Sequence, residues 1–249
     1  MSGPRRRPGR RRSCAARLSA LCLALGALAV PWVAVGAQAQ QTDSLLERAA
    51  RSIAAGRTLR ALFDQTLTNP DTRQVRTSHG EFVQQGPSKF AFRFSDPAGD
   101  AIVADGVAIW VYLPSTARGQ ALKLPIAQGT QLDLLSQLLT NPRVTYKVTA
   151  GAQEEMASRA VSVVTLLPKA QNAPFTKATL WIDREDASVR QLEAVEPSGL
   201  IRRIRFRDIR SDVDLPHDAL TFVVPPNVKI IDATALLGGL RPPEIRNKK

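Results

Sequence analysis

The chain is poor in the residue types that most often carry chemistry. Its two cysteines, Cys14 and Cys22, both lie near the N-terminus, and its 249 residues include two histidines and two tyrosines. Once the N-terminal segment is removed no thiol remains, which excludes a disulfide, a cysteine metal site and a cysteine nucleophile. His79 and His217 have no carboxylate or second histidine at ligand spacing. There is no GxSxG, HExxH, P-loop or GxGxxG pattern. The expectation is a protein that is not an enzyme, with no catalytic residues, no cofactor and no metal. Asp183, Glu185 and Asp186 read as solvated residues of a hairpin loop, and Asp105 beside Gly106 as turn chemistry.

Acidic residues are missing from the start of the chain: none precedes Asp43, whereas Arg5, Arg6, Arg7, Arg10, Arg11, Arg12 and Arg17 do. An apolar run, Leu18 to Val35, follows, and then the small-x-small triplet Ala37-Gln38-Ala39. Basic head, apolar middle and small-residue exit predict a secretory signal peptide over 1–39, cleaved after Ala39. The competing reading is an uncleaved anchor, because the run is near the lower length for spanning; Pro31 and the exit triplet argue for removal. Those seven arginines account for seven of the twelve net positive charges, so the mature chain carries +5. The basicity is largely a targeting feature, and nucleic acid is not an expected partner. Neither cysteine has the setting of a lipid-attachment site. The expectation is a soluble, exported, monomeric protein: one domain over 40–237, large enough to bury a core, and a flexible basic tail over 238–249.

What the chain does contain is short, regular alternation. Leu45, Leu46, Ala49, Ala50 and Ile53 form a helical stripe, Ser44 and Glu47 have capping-box spacing, and Gly56 is placed to stop the helix, which predicts a helix over 43–55. From Arg57 the period becomes two. Strands are expected from Arg57 to Thr68, Arg73 to Gln84, Lys89 to Ser95, Ala101 to Val103, Val107 to Leu113 and Ala121 to Leu124. Asp105-Gly106 between apolar runs is a hairpin signal. Leu132, Leu134, Leu135, Leu138 and Leu139 then predict a second helix over 130–139, with Thr130 as N-cap and Asn141-Pro142 as the stop. Strands resume at 143–150, 158–167, 176–183, 188–196 and 200–210, with a last one at Leu220–Val224; Ile230–Leu237 reads as a short strand or helix. Ten or eleven strands joined mostly as a meander predict a large antiparallel sheet curled into a barrel or part-barrel.

The aromatic residues are concentrated. Three of the eight phenylalanines, Phe90, Phe92 and Phe94, alternate along one strand, with Lys89, Arg93 and Ser95 facing the other way. Phe63 and Leu67 can join the same face from the first strand, and Ile109 and Val111 from the hairpin, although Trp110 and Tyr112 make that strand apolar on both sides. A sheet with leucine-rich helices over it makes either a packed core or a greasy pocket, and pattern alone leaves both open. Arg203, Arg205 and Arg207 form a one-face cationic ladder, which reads as a solvated outer face or as a docking surface for an acidic partner or lipid head groups.

Several stretches together resemble the periplasmic outer-membrane lipoprotein carrier (LolA-like) family. They are Leu62-Phe63-Asp64-Gln65, Pro87-Ser88-Lys89-Phe90-Ala91-Phe92, Ile102-Val103-Ala104-Asp105-Gly106 with Trp110-Val111-Tyr112-Leu113-Pro114, Ala194-Val195-Glu196, and Phe222-Val223-Val224-Pro225-Pro226-Asn227-Val228 with Ile231-Asp232. The resemblance implies a mainly β fold with helices, an open, unclosed antiparallel β-barrel with a helical lid over a hydrophobic cavity. It implies a soluble carrier that takes acylated lipoproteins from an inner-membrane lipoprotein-releasing ABC transporter to an outer-membrane lipoprotein receptor. The acyl-chain site expected on this basis is Phe63, Phe90, Phe92, Phe94, Ile109, Val111, Leu134, Leu135 and Leu138. Phe90 falls on a family position associated with transporter docking and cavity opening, and Phe92 on a cavity aromatic. The family often has a basic residue before the proline matched by Pro87, thought to latch the lid; here it is Gly86. A periplasmic lipoprotein-sensing regulator on the same half-barrel is the alternative. An anchored receptor and an unrelated exported β-protein are further readings.

Overall fold

The structure is a computed structural model that describes residues 44–126 and 132–232. The expected signal peptide, the position Thr130 and the basic tail lie outside the described residues. Helix α1 spans 44–54. Its stripe, Leu45, Leu46, Ala49 and Ile53, is buried, and the helix ends where Gly56 takes a left-handed φ of 72° and donates its N–H to the Ile53 carbonyl at 3.1 Å.

Twelve strands follow in one sheet. They are β1 (Thr58–Thr68), β2 (Val75–Gln85), β3 (Lys89–Asp96), β4 (Ala101–Asp105), β5 (Ala108–Tyr112), β6 (Gln120–Pro125), β7 (Tyr146–Met156), β8 (Arg159–Pro168), β9 (Lys177–Asp183), β10 (Val189–Val195), β11 (Ile201–Ser211) and β12 (Lys229–Asp232). Helices α2 (Leu134–Leu139) and α3 (Pro142–Thr145) lie between β6 and β7. The spatial order is β12-β6-β5-β4-β3-β2-β1-β11-β10-β9-β8-β7. Two meanders are therefore joined along β1 and β11, with Phe63 opposite Phe206, and the outermost strands β12 and β7 do not pair. The sheet is unclosed and mainly antiparallel, as expected. The one parallel pair, β12 on β6, adds a strand to the expected ten or eleven.

The sheet curls. Twelve strands at a spacing of about 4.8 Å would span roughly 50 Å if flat. Yet Ile109 of β5, Phe63 of β1, Leu166 of β8 and Tyr146 of β7 belong to one buried cluster together with the leucines of α1 and α2. The concave face is the core, and the two helices sit in it.

Local chemistry makes the turns. Asp105 accepts the N–H groups of Val107 and Ala108, each at 2.8 Å, and the indole N–H of Trp110 at 3.0 Å, while Gly106 supplies a φ of 96°. Burial pushes the Asp105 carboxyl up, but these hydrogen bonds prevail and hold it below the ordinary range.

Four expectations are corrected. First, Leu220–Val224 is not a strand. It belongs to an extended strap that crosses the outer face of the first meander. Leu220 and Phe222 pack on Ala91, Ala101 and Val103, and the Phe222 ring lies 5.5 Å from Trp110 and 5.8 Å from Tyr112. The strap carbonyls of Asp218, Ala219 and Thr221 accept from Arg93 at 3.0–3.3 Å, where a strand would have met a neighbouring ladder. This also explains why β5 is apolar on both faces. Second, α2 starts at Leu134, capped by Asp133 rather than Thr130. Third, 143–145 is helical, because Pro142 sits at the first position of α3, where its fixed φ suits a helix start. Fourth, Asp183 is 1% exposed and not solvated. It pairs with Arg159 at 2.7 Å and Arg190 at 3.0 Å and accepts the Glu185 N–H at 2.9 Å. Burial opposes its charge, but the Arg159 hydrogen bond and its neighbours hold its pKa below the ordinary value.

Candidate functional site: the concave face and its helical cover

Period-two spacing aims Phe90, Phe92 and Phe94 of β3 into the concave face. The register extends that row sideways: Phe90 pairs with Gln84, Phe92 with Phe82 and Phe94 with Gly80 on β2. The Phe63 ring stands edge-on to Phe92 at 5.1 Å and to Phe94 at 5.2 Å, and Phe82 bridges Phe92 at 4.5 Å and Phe206 at 5.3 Å. Edge and tilted contacts at these distances are favourable aromatic geometry. Gly80 lets the β2 and β3 backbones approach where their register shifts: a Cβ there would stand 2.1 Å from the Arg93 carbonyl oxygen and 2.8 Å from Phe94 Cα.

All of the expected site residues fall in this one cluster. Phe63, Phe90, Phe92, Ile109, Leu134, Leu135 and Leu138 are buried, and Phe94 and Val111 are half-buried against them. Phe82, Phe206 and the α1 leucines belong to the same surface and were not anticipated as site residues; the parity of Phe82 within β2 and of Phe206 against Arg205 and Arg207 was the available signal. Phe90 is 2% exposed and presents no surface to a partner while α2 is in place.

A polar cluster ties α2 to this face. Gln84 of β2 is fully buried; its Nε2 donates to Ser136 Oγ at 2.6 Å and to Asp133 Oδ2 at 3.3 Å. Asp133 in turn caps α2 by accepting the Ser136 N–H at 3.0 Å. Burial pushes the Asp133 pKa up from 3.8 to about 6, against the opposing hydrogen bonds from Ser136 and Leu135. The carbonyl oxygen of Gln84, Oε1, is buried and has no hydrogen-bond partner. No sequence signal marks this cluster beyond the parity of Gln84 with Phe82.

Gly86, two residues on, cannot serve as the tie. It has a φ of 64°, and a Cβ there would lie 3.3 Å from Gly56 Cα at the end of α1. The backbone turns tightly against α1 at the very position where a basic residue was expected. On the outer face the arginine ladder is largely neutralised: Arg203 pairs with Glu193 at 2.5 Å and Arg207 with Asp64 at 2.6 Å. Two clefts of about 360 and 500 Å³ flank the strap on that outer side, away from the aromatic row.

The family model described as outer membrane lipoprotein carrier protein LolA matches residues 55–223, which include the whole aromatic row and the strap through Val223. The chain belongs to this family. A LolA-family relative from Methylibium petroleiphilum, an outer-membrane lipoprotein carrier protein, is 29% identical over 223 residues, 86% of this chain and 96% of the relative. One of the same description from Methylobacillus flagellatus is 24% identical over 215 residues, covering 86% and 98%. Among solved structures, an uncharacterized conserved protein from Thermus thermophilus superposes with a TM-score of 0.51 at 11% identity over 78% of this chain and 99% of that one, a likeness of fold. Among the described residues no helix is long and apolar enough to cross a membrane.

Proposed function

We propose that the mature chain is a soluble periplasmic carrier that holds lipoprotein acyl chains against its concave face and moves them from an inner-membrane ABC transporter to an outer-membrane receptor. The observation that carries this reading is an aromatic and aliphatic concave surface covered by a six-residue helix held to the sheet by the Gln84 cluster and by the Tyr146 hydroxyl, which donates to the Gln137 carbonyl at 3.1 Å. Membership of the carrier family supports it.

The energetics suit a carrier. Each buried methylene is worth about 0.8 kcal/mol, so acyl chains do not leave a membrane for water unaided. Here the concave face is filled by Leu134, Leu135 and Leu138 of α2 and by the α1 leucines. An entering chain replaces one apolar surface by another. Net affinity is then the difference between two similar burial terms, which allows loading and also release. Phe63, Phe90, Phe92, Phe94, Ile109 and Val111 line the surface that displacement of α2 uncovers, while Leu134, Leu135 and Leu138 move with the helix.

The test is native purification of the mature protein followed by lipid mass spectrometry, with ATP-dependent release of lipoprotein from inner-membrane vesicles. Stoichiometric acylated cargo and release into the soluble fraction are expected. A protein that neither retains nor releases lipoprotein sinks the proposal.

A further inference from the structure

The aromatic row has direction. Gly80, Phe82 and Gln84 follow one another on the concave face of β2, opposite Phe94, Phe92 and Phe90 of β3. At the Phe94 end the neighbour has no side chain; at the Phe90 end, next to the β2–β3 turn, it is a carboxamide. A hydrocarbon laid along the row has only rings and apolar groups beside it until it reaches Gln84. Such a surface measures apolar area and does not distinguish one acyl derivative from another.

Gln84 is the exception. It is 0% exposed, and its Oε1 has no partner. Its orientation is fixed, because the Asp133 carboxylate accepts and so must meet the amide nitrogen, which it does at 3.3 Å. The orphaned atom is therefore an acceptor. A buried carbonyl oxygen without a donor is a standing cost that a ligand N–H removes and that an ester or thioether leaves in place.

We infer that Gln84 is a specificity residue that accepts a hydrogen bond from the amide N–H at the head of an N-acylated ligand, whose chain lies along Phe90, Phe92 and Phe94. The inference rests on the acyl-carrier reading above and names the linkage chemistry that site prefers. A trans amide directs its N–H and C=O oppositely, so Gln84 meets only the N–H. The chain takes the place of the α2 leucines, so Gln84 Nε2 gives up Ser136 and Asp133 as α2 lifts, and the seated hydrocarbon then encloses Oε1, where the ligand N–H satisfies it.

The experiment uses the purified mature protein and two probes, a triacylated lipopeptide and its analogue with the N-acyl amide replaced by an ester of the same chain length. Binding is measured by competition against a fluorescent fatty acyl probe. The wild-type protein is expected to bind the amide about tenfold more tightly, the effect of satisfying one buried acceptor. In Gln84→Leu the preference is expected to vanish while both probes still bind. If that variant does not fold, Gln84→Met serves, and the wild-type comparison stands without either. Equal wild-type affinities for the two probes, or a preference that persists in the variant, overturns the role of Gln84 and leaves the carrier reading intact. Failure of both probes to bind overturns the carrier reading and this inference with it.

Discussion

Replacing Asp133 with asparagine isolates the electrostatic cost of the lid tie. The Asp133 side chain is 5% exposed, and its carboxylate is met by Gln84 Nε2 and the Ser136 N–H, with no cation contributing to its shift. Burial raises its pKa from 3.8 to about 6. Between those values the folded protein binds more protons than the unfolded chain, so stability falls as pH rises through that window and levels off above it. A shift of about two units at 1.36 kcal/mol per unit makes the cost about 3 kcal/mol at neutral pH. An asparagine at this position carries no charge and caps a helix as well as aspartate does. Its amide nitrogen can face Gln84 once that side chain turns its free oxygen inward. The gap in stability between Asp133→Asn and wild type should be near zero around pH 4 and approach about 3 kcal/mol by pH 8, which for a domain of this size is roughly 6–12 °C in Tm. Urea titrations and thermal melts of both proteins across pH 4–8 measure it, and comparison at each pH cancels the other carboxylates. A gap of the same size at both ends would refute the reasoning, because it would mean that Asp133 stays charged without penalty. The same variant should load acyl probes more slowly, since its closed state is stabilised.

Gly80→Ala should cost roughly 3 kcal/mol or more, since a Cβ 2.1 Å from the Arg93 carbonyl oxygen can be relieved only by parting β2 from β3; a soluble variant with an unchanged melt would contradict the register described. Phe222→Ala should cost about 1–3 kcal/mol through lost contact with Trp110 and Tyr112. Hydrogen exchange should quicken over 213–228 and over the outer face of β5 while β1 and β2 are unaffected, and uniform loss of protection would show that the strap is part of the cooperative core.

The reach of the sequence followed the range of the interactions. Phe90, Phe92 and Phe94 with Lys89, Arg93 and Ser95 between and around them define a strand and its buried face within eight residues. Asp105-Gly106 makes its turn from bonds two and three residues away. The stripe of α1 and its glycine stop are equally local. For these elements side-chain period and turn chemistry suffice, and family likeness then placed them in an open sheet.

Tertiary structure decided what depends on distant partners. Leu220–Val224 alternates as a strand does, and alternation is the same whether a segment joins a ladder or lies on a sheet face; only the apolar outer surface of β3, β4 and β5 made it a strap. Asp183 looked solvated because it stands with Glu185 and Asp186 at a hairpin loop, and it is buried because Arg159 and Arg190 from neighbouring strands close over it. Asp133 and Ser136 lie 49 and 52 positions from Gln84, and no local pattern joins an amide in a strand to a helix cap. Sequence by itself determined most of the strands, their apolar face and the family, because these follow from spacing along the chain. Which polar groups are enclosed between the helix and the sheet, and which acceptor is left there unpaired, was decided only when the sheet curled around its helices.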